Sequence, residues 1–424
     1  MKLPEPPRLA PILVGYSGGL DSGVLLHLLA SNQDLRRHGL RALHVHHGLH
    51  AEADAWAAHC ERECAALSVP LQVVRVEVDA GAGLGIEGAA RAARHRAFAQ
   101  ALGEGEILAL AHHRDDQAET FLLRALRGSG VDGLAAMRPW RAHARGWLWR
   151  PLLDIPRTQV QAHAIAHGLR WVDDPSNADA GFNRNFLRNQ VMPLLRERWP
   201  HAAASLARSA SLCAQAADLL EAEDAAALMK AQGDDGSLDI TVLQTMSSDR
   251  RARVLRRWVD TSGLPPLPAN GIAHVEHQLL HARRDAEARF DWSGARLQRW
   301  RDALHAGRIH PPLPQDWSQL WDGRSPLALP TGDRLELIGA EAFDSLLRVH
   351  ARLGGERLLL PGRIHRHSLR HVLQERDVAP WLRARMPLLS DGDEVLAAGD
   401  AILSARMAAW LQARGACLRW IAVA

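Results

Sequence analysis

Short apolar runs alternate with longer amphipathic segments over the first 126 residues of the chain. Four runs of aliphatic and β-branched residues predict strands, at residues 12–16, 42–46, 71–76 and 107–111. The segments that follow them have helical spacing and predict helices, at residues 22–30, 53–67, 87–102 and 116–126. Strict alternation requires crossover connections, so the pattern predicts an α/β fold with a doubly wound parallel sheet. Ligands of such sheets bind at the carboxyl ends of the strands.

The pattern changes twice further along the chain. A strand in WLWRPLL and a helix over residues 156–168 complete a first domain, which we predict at residues 1–199. An alanine- and leucine-rich stretch then has helical spacing without a strand signal, so a helical domain is predicted at residues 200–315. Short strands mixed with one or two helices predict a small α+β domain at residues 316–424.

Composition excludes several classes of protein. The 424 residues are 47% hydrophobic and 23% charged, as in globular chains, and no apolar stretch reaches the roughly 18 residues that cross a bilayer. The N-terminal segment also lacks the apolar core of a secretory signal, so we expect a cytoplasmic protein without a membrane partner. Four cysteines are too few for a disulfide framework, and Cys60 and Cys64 are expected to be buried helical residues.

The segment SGGLDS, from Ser17 to Ser22, separates the first predicted strand from the first predicted helix. Gly18 and Gly19 allow a tight turn in which backbone N–H groups and the positive end of the helix dipole point at one place. Such a turn binds phosphate. Asp21 would repel phosphate unless a cation lies between them, so it predicts a magnesium site; the alternative is an aspartate that only caps the helix.

The same segment resembles the S-G-G-x-D-S signature of the pyrophosphate-loop (PP-loop) ATP pyrophosphatases, which share the adenine nucleotide alpha hydrolase-like fold. Four further blocks resemble the lysidine synthetase family in order and spacing: HVHHGLHAEADAW, GIEGAARAARHRAF, AHHRDDQAETFLLRALRGSGVDGLAAM and DDPSNADAGFNRNFLRNQVMPLL. A C-terminal block, PGRIHRHSLRHVLQERDVAPWLRARMPLLSDGDEVLA, is similar to the end of the same family. The resemblance therefore covers most of the first 200 residues and the C-terminal third.

The resemblance implies a two-step reaction on the wobble cytidine of an isoleucine tRNA with the anticodon CAU. ATP adenylates the C2 carbonyl oxygen of cytosine and pyrophosphate leaves; the ε-amine of free L-lysine then attacks C2 and AMP leaves. The implied cofactors are ATP and Mg²⁺, and the implied partners are this tRNA and free lysine. We also expect a homodimer.

Site residues follow from the resemblance together with the spacing of charged residues. The pyrophosphate cradle is expected at Ser17, Gly18, Gly19, Leu20, Asp21 and Ser22, with Asp21 and Asp115 on the metal. Acidic and basic groups for substrate and triphosphate are expected at Asp116, Glu119, Arg91 and Arg184, with weaker expectations for Arg94, Arg188, His46 and His47. The alternative for these charges is an ordinary solvated helix face that complements the helix dipole.

Arginine clusters predict the RNA interface, although the formal net charge is only +3. The stretch MRPWRAHARGWLWR interleaves Arg138, Arg141, Arg145 and Arg150 with Trp140, Trp147 and Trp149, which suits base stacking or core packing equally. Five arginines lie in residues 250–258 and eight in residues 351–389, so both tracts are expected to contact phosphates.

Three other functions remain open from the sequence. A tRNA thiolase of the same fold is the strongest enzymatic alternative, but such enzymes use paired cysteines and the chain has no C-x-x-C. An amide-forming synthetase would leave the arginine-rich C-terminal third without a purpose. A non-catalytic RNA-binding protein on a degenerate nucleotide fold would not need Asp21 and the two glycines.

Overall fold

The computed structural model describes residues 1–78, 85–179, 181–283 and 288–422. The chain divides into two compact units, residues 1–221 and residues 222–424. The boundaries of the three predicted domains stay a prediction. No helix of the described ranges is long and apolar enough to cross a membrane.

A six-stranded sheet organises the first unit, in the order β3-β2-β1-β4-β6-β5. Every neighbouring pair is parallel except β5–β6, which forms an antiparallel hairpin at the edge. The parallel sheet was predicted; the antiparallel edge strand was not. The strands are β1 Ile12–Gly15, β2 Leu40–His46, β3 Leu71–Arg75, β4 Ile107–Ala109, β5 Trp140–His143 and β6 Gly146–Trp149.

Helices cover both faces of this sheet, as the alternating pattern predicts. Ile12 and Val14 of β1 pack on one face against the first, third and seventh helices, whereas Leu13 packs on the other face against the fourth. The helices are α1 Leu20–Ser31, α2 Gln33–Arg37, α3 Ala53–Ala66, α4 Gly85–Ala101, α5 Arg114–Ala125, α6 Val131–Leu134, α7 Arg157–Ala166, α8 Asn183–Phe186 and α9 Met192–Arg198.

The middle of the chain is helical as predicted, but it also contains a small antiparallel sheet in the order β7-β10-β9-β8. In β9 the buried residues Ala295 and Leu297 alternate with the polar residues Arg296 and Gln298, a strand pattern that the assignment of the region as wholly helical overlooked. The elements are α10 Ala202–Ala231, β7 Leu238–Asp239, α11 Ile240–Gln244, α12 Ser248–Thr261, α13 Ala269–His277, β8 Arg289–Trp292, β9 Ala295–Trp300 and β10 Ala303–Arg308.

The C-terminal region is α+β, as predicted. A five-stranded and a three-stranded antiparallel sheet surround their own apolar cores, separate from that of the middle region. The elements are β11 Ser318–Trp321, β12 Leu327–Ala328, β13 Arg334–Ile338, β14 Leu347–His350, β15 Arg357–Leu359, β16 Arg366–Ser368, α14 Leu369–Glu375, α15 Pro380–Arg385, β17 Leu388–Asp391, β18 Glu394–Ala398, β19 Ile402–Leu403, α16 Ala405–Arg414 and β20 Cys417–Ile421.

Candidate active site

The turn between β1 and α1 lies where the strand order of the sheet reverses. β1 pairs with β2 on one side and with β4 on the other, and loops that follow such a strand face the ligand crevice of α/β sheets. Gly18 has a φ of +83°, which side-chain-bearing residues rarely adopt. A Cβ at Gly18 would also lie 2.9 Å from Cys60 Sγ. Both facts explain why this position of the turn is glycine.

Hydroxyl groups hold the turn in shape. Ser22 Oγ accepts a hydrogen bond from Ser17 N at 3.2 Å and donates one to Gly19 O at 3.0 Å. Ser17 Oγ accepts from Gly19 N at 3.3 Å. Gly19 is the N-cap of α1, and no side chain caps the helix. The first amides of α1, beginning at Leu20, are therefore available to an anion and lie at the positive end of the helix dipole.

Buried side chains of neighbouring elements pack against the turn. Cys60 on α3 is fully buried, and its Sγ lies 3.4 Å from His44 Nδ1, which is 3.0 Å from the carbonyl oxygen of Tyr16. Burial raises the pKa of Cys60 to about 12 and that of Cys64 to about 11. Both cysteines are thus buried helical thiols, as expected, and neither is suited to thiolate chemistry.

Asp21 lies in the first turn of α1 and keeps 32% of its side chain exposed. Its Oδ2 is 3.6 Å from Nε2 of His113, while its Oδ1 has no hydrogen-bond partner in the described part of the chain. A carboxylate oxygen left without a donor can bind a cation. No group of three or more potential metal ligands occurs among the described residues, so Mg²⁺ would depend on substrate oxygens as well.

Two acids and two arginines form a buried network at the start of α5. Glu119 accepts hydrogen bonds from Arg184 Nε at 2.9 Å and from Arg188 Nε at 2.8 Å. Asp116 Oδ1 accepts from Arg184 Nη2 at 3.2 Å and from Arg188 Nη2 at 2.9 Å. The structure therefore brings together three residues predicted for the site, and adds Arg188, for which the expectation was weaker.

His113 connects Asp21 to this network. It is the N-cap of α5 and forms a capping box with Asp116, and its Nε2 lies 3.4 Å from Asp116 Oδ2. Burial opposes ionisation of Asp116, but His113 and Arg184 outweigh it and lower the pKa of Asp116 to about 2. Burial likewise opposes the charge on His113, yet Asp21 and Asp116 raise its pKa overall. His113 was not singled out from the sequence, although this residue lies in the loop after β4, at the carboxyl end of the strands where ligands bind.

Asp115 has a different environment from Asp21. Its Oδ2 accepts from Arg157 N at 2.9 Å, and its Oδ1 pairs with Arg196. Each oxygen of this carboxylate already accepts a hydrogen bond from the protein. The arrangement therefore favours an anchoring role for Asp115 over the predicted metal contact.

The remaining predicted residues lie at the edges of this site. Arg91 is exposed on α4, and its charge helps to lower the pKa of His112, so it lies within electrostatic reach. Burial and Arg94 lower the pKa of His47 to about 4. His46 Nε2 lies 3.1 Å from Asp54 Oδ1, a contact that accounts for His46 structurally.

The tryptophan and arginine stretch is mainly structural. Trp149 is buried in the core, and Trp140 stacks on Trp147 with ring centroids 5.3 Å apart. Arg138 forms a bidentate pair with Asp218, and Arg150 is buried. Of the two roles that the sequence left open for this stretch, the burial of Trp149 and Arg150 favours core packing.

Ion pairs also engage part of the arginine tract on α12. Arg250 and Arg253 pair with Asp224, and Arg251 pairs with Glu276 at 2.6 Å. These pairs lie within the second unit and leave fewer charges for phosphates than the sequence suggests.

A separate arginine-lined cleft lies in the second unit, with a volume of about 740 Å³. Its wall contains Trp300 and Trp381, and none of the described residues that line it is a carboxylate. Burial and the neighbouring charges of Arg352, Arg301 and Arg370 lower the pKa of Arg383, which indicates an excess of positive charge. The arginines that line it are Arg289, Arg296, Arg299, Arg301, Arg370 and Arg383.

The fold and the uncapped glycine turn define a nucleotide-binding α/β protein of the PP-loop class. The PP-loop domain model matches residues 2–195, the TilS substrate binding domain matches residues 238–305, and the TilS substrate C-terminal domain matches residues 347–420. The PP-loop match implies that the protein uses ATP.

Curated relatives give the family. The tRNA(Ile)-lysidine synthase of Xanthomonas axonopodis pv. citri (strain 306) is 56% identical over 99% of this chain and 95% of its own length. That of Xylella fastidiosa (strain Temecula1) is 52% identical over 99% of this chain and 96% of its own length. That of Escherichia coli O157:H7 is 41% identical over 93% of this chain and 92% of its own length. The chain belongs to the tRNA(Ile)-lysidine synthase family and is an enzyme of the ligase class.

Solved structures are similar in part. A U34-tRNA thiolase from Methanococcus maripaludis is 18% identical, with a TM-score of 0.41 over 47% of this chain and 70% of that one. A TilS C-terminal domain is 22% identical, with a TM-score of 0.21 over 26% of this chain and 99% of that one.

Proposed function

We propose that this chain ligates free L-lysine to C2 of the wobble cytidine of tRNA(Ile) with the anticodon CAU. The reaction passes through an adenylated cytidine and releases pyrophosphate and then AMP. The observation that carries the proposal is Asp21, whose unpartnered oxygen lies at an uncapped helix start in a chain of this family. Burial and the raised pKa of Cys60 and Cys64 speak against the thiolase alternative.

The glycine turn holds the leaving pyrophosphate in this proposal. Amides from Leu20 to Ser22 donate to phosphate oxygens, while Asp21 provides a carboxylate ligand for Mg²⁺. Magnesium, when bound, neutralises charge on the triphosphate as the α-phosphorus is attacked. Arg184 and Arg188, fixed by two carboxylates, offset the remaining negative charge without losing side-chain entropy when ATP binds.

Asp116 and Glu119 are proposed to recognise the ammonium group of lysine. Asp116 stays ionised, because the network lowers its pKa to about 2, and two arginines contact Glu119. They lie close to Asp21 through His113, so an amine held there would be near the adenylated base. Arg91 is proposed to approach the phosphates from α4.

The second unit is proposed to hold the tRNA. Its arginine-lined cleft combines phosphate-binding guanidinium groups with two indole rings on which an unpaired base can stack. In the described chain, Arg370 forms no ion pair with a carboxylate, so its charge is available to phosphates. A homodimer and a cytoplasmic location also remain predictions; sedimentation of the full chain tests the first.

Incubation with ATP, radiolabelled lysine and purified tRNA tests the proposed function. We expect label in tRNA(Ile) with the anticodon CAU and none in elongator methionine tRNA, which has the same anticodon. Asp21→Asn is expected to abolish labelling while the circular dichroism spectrum stays that of the wild type. Label in neither tRNA, or equal label in both, would refute the proposal.

A further inference from the structure

Arg150 is a buried cation at the ligand edge of the sheet. It directly follows β6, and only 6% of the residue is exposed. Its Nε donates to His112 Nδ1 at 3.2 Å, and its Nη1 donates to the carbonyl oxygen of Arg138 at 2.7 Å. Within the described ranges, no carboxylate pairs with Arg150.

The surroundings of Arg150 increase the cost of its burial. Burial and, after it, the positive charges of Arg141, Arg91 and Arg124 together lower the pKa of Arg150 to about 10. A buried guanidinium without a counterion destabilises a fold, so stability does not explain the residue. Its contact with His112, which lies beside the proposed active site, offers an explanation through function.

The hydrogen bond to Arg150 fixes the protonation of the His112 ring. A guanidinium has only donors, so Nδ1 of His112 must be an unprotonated acceptor. Burial and the neighbouring arginines lower the pKa of His112 well below its ordinary value, which keeps the ring neutral. A neutral ring that accepts at Nδ1 carries its proton on Nε2.

His112 has the right position for a role in the reaction. It precedes His113, which contacts both Asp21 and Asp116, and its pKa responds to Asp116 and Arg184. The residue is partly exposed, and Arg150 is its one hydrogen-bond partner among the described residues. Its Nε2–H is therefore free to meet a substrate.

We propose that Arg150 is a positioning residue that holds His112 as a neutral Nε2–H donor facing the reacting groups. The inference rests on the proposed function. Because Nδ1 is occupied and Nε2 carries the proton, His112 donates a hydrogen bond to an oxygen of the substrates. It is not the base that deprotonates lysine.

Nitrogen NMR of the full chain labelled with ¹⁵N-histidine tests the tautomer directly. The His112 signal is assigned as the one lost in His112→Gln. We expect the Nε2–H pattern in the wild type and a mixture of both tautomers in Arg150→Met. Arg124→Met is the matched control, because Arg124 donates to the carbonyl oxygens of Gly133 and Ala136 and not to His112.

Each result decides the inference. An Nδ1–H pattern in the wild type, or an unchanged pattern in Arg150→Met, would overturn it. The wild-type spectrum is decisive even if Arg150→Met does not fold. These readouts do not depend on lysine transfer, so failure of the proposed function leaves them intact and distinguishable.

Kinetics provide the second readout. Arg150→Met should lower kcat for lysine transfer by about 10- to 100-fold, the usual effect of losing a residue that orients a reacting group, with KM for ATP changed less than about threefold. Arg150→Lys keeps a cationic donor and should restore both the tautomer and part of kcat. A loss of kcat with an unchanged tautomer would contradict the positioning role.

Discussion

Replacement of Glu119 by glutamine removes the central charge of the arginine network. The side chain of Glu119 is 2% exposed and accepts from Arg184 Nε and from both Nε and Nη2 of Arg188, at 2.8–2.9 Å. Glutamine has nearly the same shape, but it cannot accept all three bonds with one amide oxygen. The change therefore leaves two partly buried arginines with only Asp116 as a counterion.

The magnitude follows from this geometry. Removing one partner of a buried ion pair typically costs about 3–5 kcal/mol, because the other charge stays buried. Here 20% of the Arg184 side chain and 29% of the Arg188 side chain are exposed, and Asp116 remains as a counterion. Solvent and this second carboxylate therefore reduce the loss of stability. We expect Glu119→Gln to lower the free energy of unfolding by ~2–3 kcal/mol.

Urea denaturation in a double-mutant cycle with Arg188→Gln measures this effect. The cycle should give a coupling energy of at least ~1 kcal/mol between the two residues. Asp218→Asn is the control, because Asp218 forms an exposed pair with Arg138 and should change stability by less than ~1 kcal/mol. A coupling energy below ~0.5 kcal/mol would refute the reasoning.

Glu119→Gln should also raise KM for lysine more than KM for ATP, because the carboxylate is proposed to contact the amine. Equal increases, or no increase for lysine, would contradict lysine recognition while leaving the stability result intact.

Further predictions concern the turn, a histidine cluster and the arginine cleft. Gly18→Ala adds left-handed strain of ~1–2 kcal/mol and a Cβ against a buried thiol, so KM for ATP should rise. Gly23→Ala, whose Cβ comes within 4 Å of no described residue outside its own turn of helix, should leave KM unchanged; equal effects of the two would contradict this account. Burial, then the neighbouring His rings and N-terminus, lower the pKa of His163 from 6.5 to about 4. The folded state therefore favours the neutral ring, and stability should fall as pH drops from 6.5 towards 4, by up to ~1.4 kcal/mol per pH unit. In urea denaturation, the free energy of unfolding of His163→Gln should depend less on pH than that of the wild type. An unchanged pH dependence would contradict the role of His163. Arg370→Gln should lower the slope of log affinity for tRNA against log salt by about 1, whereas exposed Arg324→Gln should not.

The hydrophobic pattern of the sequence predicted the first strand, the glycine turn, the first helix and the parallel sheet. The glycine turn lies between β1 and α1, whose observed limits differ from the predicted ones by one or two residues. Buried runs such as Ile12–Gly15 and flanking amphipathic helices leave few alternatives to a parallel sheet. The strand in WLWRPLL corresponds to β6, but its antiparallel partner β5 was missed because its arginine and tryptophan suggested an RNA surface.

Long-range pairing explains what the sequence could not show in the site. Asp116 and Glu119 share a helix face, which spacing predicts, but their partners Arg184 and Arg188 come from the end of the same unit. The burial of Arg150 depends on contacts across β4 and β6, which leave no periodic signal in the sequence.

The adenylated intermediate is the most direct test of the central claim. The full chain is incubated with tRNA(Ile) bearing the anticodon CAU and ATP radiolabelled at the α-phosphate, without lysine, and the tRNA is then isolated. We predict label on the wobble cytidine, released as AMP when lysine is added. Absence of label from the tRNA, or label that lysine does not release, would contradict the account.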